Sequence, residues 1–212
     1  MPNIAVFIEQ RRGEIKKVAW QMVSEARRIT DQAGGEVWCV HLHAKDCGAG
    51  AEAGKHGAHK FFTATDAQFD LYNSELYATA LRSFCEAQKP DAILLGSTAM
   101  GKDLAPKLAA KLGWACISDS VGLKFEGGFE VRRPIYAGKC YLDVAPKGPA
   151  VIGIRPNAFT LAEPGGTAAA ETFEPGIGGV DPKAVVKEVQ VAAAGKVELT
   201  EAEVIVSGGR GI

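Results

Sequence analysis

The residue types and spacing closest to a working site are Gly96-Ser97-Thr98-Ala99-Met100-Gly101-Lys102-Asp103. The run follows an apolar stretch, Ala92–Leu95, and leads into a helical pattern. A glycine loop in that place turns backbone N–H groups toward an anion at a helix start. The spacing matches the phosphate-loop pattern G-x-x-x-x-G-K, but the next residue is Asp103, where such a loop needs Ser or Thr to hold Mg²⁺. A carboxylate there also repels phosphate oxygens. The competing reading is a tight strand-to-helix turn with Asp103 in the first helical turn, where negative charge suits the helix dipole. That reading wins on chemistry, although the position is the usual ligand crevice of such sheets.

Cys39, His41 and His43 alternate along a second apolar run, with Cys47 just beyond. Period-2 spacing puts all three on one side, and Cys and His are the ligands zinc prefers. The competing reading places Cys39 in the core, His41 near a strand end and His43 in a loop. His56 and His59 are isolated. There is no G-x-S-x-G elbow and no H-E-x-x-H, and Cys116 lacks a histidine signature, so no nucleophile–base pattern argues for an enzyme. Arg132 to Lys139 (RRPIYAGK) is a compact basic–aromatic segment: a strand, a proline edge and a turn, or a surface held against a partner.

The elements that must position these residues alternate along the first half. Ile4–Glu9 is an apolar run and Lys16–Ala33 a helix with Val18, Met22, Ala26 and Ile29 on one face, closed by Gly34-Gly35. Glu36–Leu42 and His59–Thr65 are strands, with a short weak helix between them. Ser74–Gln88 is a helix broken by Pro90, and Ala92–Leu95 is the most apolar strand. Apolar strands alternating with helices imply a doubly wound, mostly parallel α/β sheet covered on both faces. After a helix at Asp103–Leu112, the strand-like stretches between Trp114 and Arg155, including Ala150–Ile154, are expected to add antiparallel pairing at the sheet edge, with a hairpin at Gly127-Gly128. Glu163–Pro182 reads as a long surface loop, Ala184–Val191 as one more strand, and Glu203–Val206 as a strand entering Ser207-Gly208-Gly209-Arg210-Gly211.

The 212 residues carry a net charge of −1 with scattered signs, so nothing marks a nucleic-acid or anionic-membrane partner. No apolar run reaches bilayer length, and membrane insertion is not expected. Five widely spaced cysteines without a C-x-x-C pair fit a reducing compartment, and a cytoplasmic location is expected. Cys39, Cys85 and Cys116 lie in apolar contexts where a thiol acts as a small hydrophobe.

Three segments in this order resemble the α subunit of electron-transfer flavoproteins: Leu94–Gly113 (LLGSTAMGKDLAPKLAAKLG), Arg132–Cys140 (RRPIYAGKC) and Val204–Ile212 (VIVSGGRGI). The opening IAVFIEQRRGEIKKVAWQMVSEAR extends the match over the whole chain. The first segment is a variant of the family's G-[AS]-T-A-x-G-[KR]-D-L-A-P loop, which marks an adenine-nucleotide α-hydrolase-like domain. The resemblance implies a β-subunit partner, FAD held mainly in a second domain, and electrons accepted from dehydrogenases such as acyl-CoA dehydrogenases. The family's flavin-contacting arginine maps onto Arg210, flanked by Gly209 and Gly211. Residues 1–192 then form the N-terminal interaction domain, and 193–212 a linker and the first strand of an FAD-binding domain whose later motifs lie outside this sequence. FAD is therefore expected in the full heterodimer and not on this chain alone. The alternative is a stand-alone nucleotide-binding α/β protein using Gly96–Asp103, and a third option is a scaffold that only holds a partner.

Overall fold

An apolar run without alternation needs cover on both faces, and β1 (Ile4–Phe7) has it: all four residues are buried. Ile4 and Val6 face one core, Ala5 and Phe7 the other. The computed structural model describes residues 1–45, 48–189, 202, 204–209 and 211. β1 sits at the centre of a seven-stranded sheet in the order β12-β5-β4-β1-β6-β11-β7, with every neighbouring pair parallel. The other strands of this sheet are β4 (Val37–His43), β5 (Lys60–Thr65), β6 (Ala92–Gly96), β7 (Ala115–Ser120), β11 (Ala150–Ile154) and β12 (Ala169–Thr172). A two-residue-per-strand hairpin, β2 (Gln10–Arg11) and β3 (Glu14–Ile15), turns over Arg12 and Gly13 just after β1.

α1 (Lys17–Ala33) and α2 (Ala49–Lys55) cover one face, and α3 (Ser74–Gln88) and α4 (Ala99–Leu112) the other. This is the doubly wound architecture read from the alternation. α3 begins at an Asn73 cap whose side chain accepts from the amides of Glu75 and Leu76. It stops where Lys89 turns left-handed, one residue before Pro90.

Antiparallel pairing is present but differently placed. β8 (Gly122–Phe125), β9 (Phe129–Ile135) and β10 (Cys140–Val144) form their own three-stranded sheet. Its Leu123, Phe129 and Val131 pack into the α1-side core instead of extending the main sheet. The hairpin turns at Gly127 as expected. Ala150–Ile154 is not antiparallel: it enters the main sheet between β6 and β7, buried at all five residues.

The chain from Glu163 to Pro182 is not wholly loop. Ala169–Thr172 adds to the exposed edge of β5. The segment after it lies antiparallel along α3: Phe173 meets Phe84 edge-on at 5.4 Å, and Ile177 is buried against the same core. Ser83 donates to the Glu174 carbonyl, the Lys183 amide donates to Glu75, and Asn73 Nδ2 donates to the Ala184 carbonyl at 2.6 Å. The strand expected at Ala184–Val191 does not form over 184–189, which are exposed and unpaired by any ladder; 190 and 191 lie outside the described residues. Val204, Ile205 and Val206 are likewise exposed and in no strand. Both patterns have the right residues but pair with no strand among the described residues, and a strand without a ladder is only extended chain. The 192/193 boundary also lies outside the described residues.

Candidate functional site

The strand order reverses between β1 and β6, and their carboxyl ends open into a cavity of about 1210 Å³. Gly96-Ser97-Thr98 leave β6 here and α4 starts at Ala99. The start of α4 is pressed against the strand end: a Cβ on Gly101 would lie 1.7 Å from the Gly96 carbonyl oxygen. Only glycine fits there.

Thr98 is the hinge of the arrangement. Its Oγ1 accepts from the Gly101 amide at 3.0 Å, capping α4, and donates to Glu9 Oε2 at 2.6 Å. Glu9 follows β1 and is buried, so a carboxylate closes the floor of the crevice at the helix N-terminus. Ser97 joins the same seam, its amide donating to the Ile154 carbonyl and its hydroxyl accepting from the Asp119 amide. Asp119 itself is left-handed (φ 60°) and takes a bidentate bond from Arg155 at 2.9 and 2.6 Å, which holds its carboxyl below the usual range.

Asp103 is not in the first turn of α4. The helix begins four residues earlier, and Asp103 Oδ2 accepts from the Tyr72 hydroxyl at 2.8 Å. Burial, then the Asp103 bond and charge, push the Tyr72 phenol well above its ordinary value. Among the described residues, six cationic side chains (Arg11, Arg12, Lys16, Lys17, Lys45, Lys102) and three carboxylates (Glu9, Asp70, Asp103) line the cavity. The mouth is therefore net positive while its floor, at the helix start, is negative.

The Cys39–His41–His43 face is built differently from the metal reading. His43 ends β4 and is 2% exposed, so it is a strand residue and not a loop one. Its ring stacks on His41 at 4.7 Å, and Phe61 lies 5.9 Å from His41. Cys39 is fully buried, which pushes its thiol strongly up and away from the thiolate that metals bind. Ligand atoms of these three do not converge among the described residues, and Cys47 lies outside them. Cys85 is buried as expected, but Cys116, on the edge strand β7, is exposed.

A grouping invisible in the sequence lies on the α1–α2 side. His56 was isolated in sequence, yet its ligand atom lies within 4.8 Å of those of Glu52 and Glu163. The i, i+4 spacing of Glu52 and His56 carried half of that signal; Glu163 is far away in the chain. The Arg132–Lys139 segment buries Pro134 and exposes its two ends: Arg132 forms a bidentate pair with Asp143, and Tyr136 is 76% exposed in a left-handed turn. Tyr141 and Leu142, on opposite faces of β10, are exposed as well.

Gly209 and Gly211 are exposed, with nothing within 4 Å of where a Cβ would stand, and Arg210 lies outside the described residues. A flavin ring needs a concave, mostly apolar enclosure. The two described glycines supply none of that enclosure themselves.

No described helix is long and apolar enough to cross a membrane. The family model for the electron transfer flavoprotein domain matches residues 4–177. The chain is similar to the electron transfer flavoprotein subunit alpha of Bacillus subtilis, 35% identical over 99% of this chain and 65% of that protein. It is 34% identical to the subunit of the same name from Syntrophomonas wolfei, over 100% of this chain and 66% of that protein. Protein FixB of Clostridium saccharobutylicum is 28% identical over 99% of the chain. The chain thus spans just under two thirds of the length of these relatives.

Proposed function

The chain belongs to the electron transfer flavoprotein family, and from that premise we propose that it is the N-terminal part of an α subunit that carries electrons in a heterodimer with a β subunit. FAD is the redox group of that assembly; the protein supplies its placement and electrostatic surroundings. Electrons arrive from flavin dehydrogenases such as acyl-CoA dehydrogenases and leave to a downstream acceptor. Residues 1–192 act as the interaction domain, and Gly209, Arg210 and Gly211 begin the flavin contact.

One observation carries the reading of the domain as support and not as a catalyst. The loop that could cradle a phosphate is closed on itself, with Glu9 bonded to Thr98 at the helix start and Asp103 bonded to Tyr72. An anion placed there meets carboxylates where a phosphate loop offers a hydroxyl and a free helix end.

A second reading keeps one observation in its favour. The cavity mouth is large and net positive, which suits a nucleotide bound by a stand-alone α/β protein.

The test is co-expression with an electron transfer flavoprotein β subunit, followed by size-exclusion chromatography and visible spectroscopy. The leading reading expects co-elution, and expects the full-length pair to be yellow and to bleach when a dehydrogenase and its substrate are added. It expects this 212-residue chain alone to carry no stoichiometric flavin. A chain that never associates with β and binds ATP at micromolar concentration supports the second reading instead.

A further inference from the structure

We propose that His56, Glu52 and Glu163 form a divalent transition-metal site, of the kind zinc occupies, that fastens the segment before β12 to the end of α2. His56 is 1% exposed and stacks on Trp20 at 5.3 Å, so its ring is fixed. Its Nδ1 lies 2.8 Å from the Ala162 carbonyl oxygen, an acceptor, and therefore carries the ring proton. That leaves a lone pair on Nε2, which faces Glu52 Oε1 at 3.4 Å, a second acceptor. A neutral imidazole has one N–H and is aimed at two acceptors. A cation between Nε2 and the carboxylate resolves the conflict, and a metal does so without burying an imidazolium against Trp20.

The distance also fits. With bonds of about 2.1 Å to nitrogen and oxygen, two ligands of a tetrahedral zinc are about 3.4 Å apart. A carbonyl on the other ring nitrogen is the usual way to hold a metal-binding histidine in its tautomer. Glu163 is exposed, and its carboxylate atom is within 4.8 Å of the other two ligand atoms, so a side-chain rotation of roughly 1 Å completes the set. The backbone around it is already seated: the Gly165 amide donates to the Lys55 carbonyl, and a Cβ on Gly54 would meet the Ala168 amide at 2.8 Å. A fourth position stays open to water.

Lys55 opposes the metal: its Nζ sits 2.9 Å from Glu52 Oε2. It competes for the same carboxylate, which yields a signature no purely structural salt bridge shares.

The experiment is calorimetric titration with Zn²⁺ alone, in a background where Cys47, Cys116 and Cys140 are replaced by Ser so that thiolates do not compete. The expected result is one Zn²⁺ per chain and a raised melting temperature. Glu163→Gln and Glu52→Gln should each weaken binding at least tenfold, and Lys55→Gln should tighten it. His56→Gln should abolish it; should that variant fail to fold, the two glutamate variants carry the test, since both positions reach the surface. A Co²⁺-loaded sample should show the visible spectrum of a four-coordinate nitrogen–oxygen site. Binding that is unchanged in Glu163→Gln and Glu52→Gln, or absent below millimolar Zn²⁺, overturns the proposal.

Discussion

Replacing Thr98 by Ala removes two bonds at once, and the structure says what each is worth. The first is the cap on α4, the 3.0 Å bond from the Gly101 amide, whose loss costs about 1 kcal/mol. The second is the 2.6 Å bond to the buried Glu9 carboxylate, a hydrogen bond to a charged group worth about 1.5–3 kcal/mol. Together the change should destabilise the chain by about 2.5–4 kcal/mol, or lower its melting temperature by roughly 5–15 °C for a domain of this size. Thr98→Ser keeps the hydroxyl and should stay within about 1 kcal/mol of the parent. Urea unfolding followed by circular dichroism measures all of these. The sharper measurement is the cycle with Glu9→Gln: in that background Thr98→Ala should cost little more than the cap, leaving a coupling of about 1.5–3 kcal/mol. If Thr98→Ala costs the same with Glu9 or Gln at position 9, the bond across the crevice floor contributes nothing and the account of the closed loop is wrong.

Gly101→Ala drives a methyl into the Gly96 carbonyl and should cost about 3 kcal/mol or more by the same unfolding assay; a loss under about 1 kcal/mol would mean that α4 moves off the strand end freely. Asp119 has its folded pKa lowered, first by the hydrogen bond from Arg155, so its stabilisation is full above the ordinary carboxylate value and is lost as pH falls through the lower folded one. Since both side chains are over a third exposed, that amounts to under about 1 kcal/mol, and the stability difference between the parent and Asp119→Asn should vanish as pH drops from about 4 to 2. Persistence of the difference at pH 2 would assign it to the left-handed backbone instead of the charge. No ATPase activity and at most weak ATP binding are expected at Gly96–Asp103, while Asp103→Ser should strengthen Mg²⁺-dependent binding. Calorimetry giving micromolar affinity for the parent would revive the phosphate-loop reading.

Where local chemistry decides an element, the sequence was enough. α3 carries its own cap at Asn73 and its own stop at Lys89-Pro90, and its bounds match the reading to the residue. Where a distant partner decides, it was not. β12 (AAET) has no strand-like period because it lies on an edge, held by its ladder to β5 and by the bonds of Thr63 and Lys60 to Glu171. Ala184–Val189 has the period but pairs with no strand among the described residues. The run AVIGI at Ala150–Ile154 lacked any alternation, which is the mark of a strand covered on both faces, and it proved central and parallel. In the crevice, the Gly96–Gly101 contact was legible as a glycine loop. The Glu9–Thr98 bond was not, since its partners are 89 positions apart and only the sheet order brings them together. Nor could spacing alone show that Asp103 serves Tyr72.

The segment lying along α3 gives the domain a handle. Asn73 holds both ends of one transaction: its Oδ1 caps the helix and its Nδ2 grips the Ala184 carbonyl. Glu75, in the helix's first turn, grips the Lys183 amide beside it. The two clasps sit at the opening turn of α3, where Tyr72 leads into the crevice wall, while the aromatic contact of Phe173 with Phe84 holds the same segment near the helix's other end. Loosening of the clasps frays a helix end beside the crevice and leaves that second hold in place.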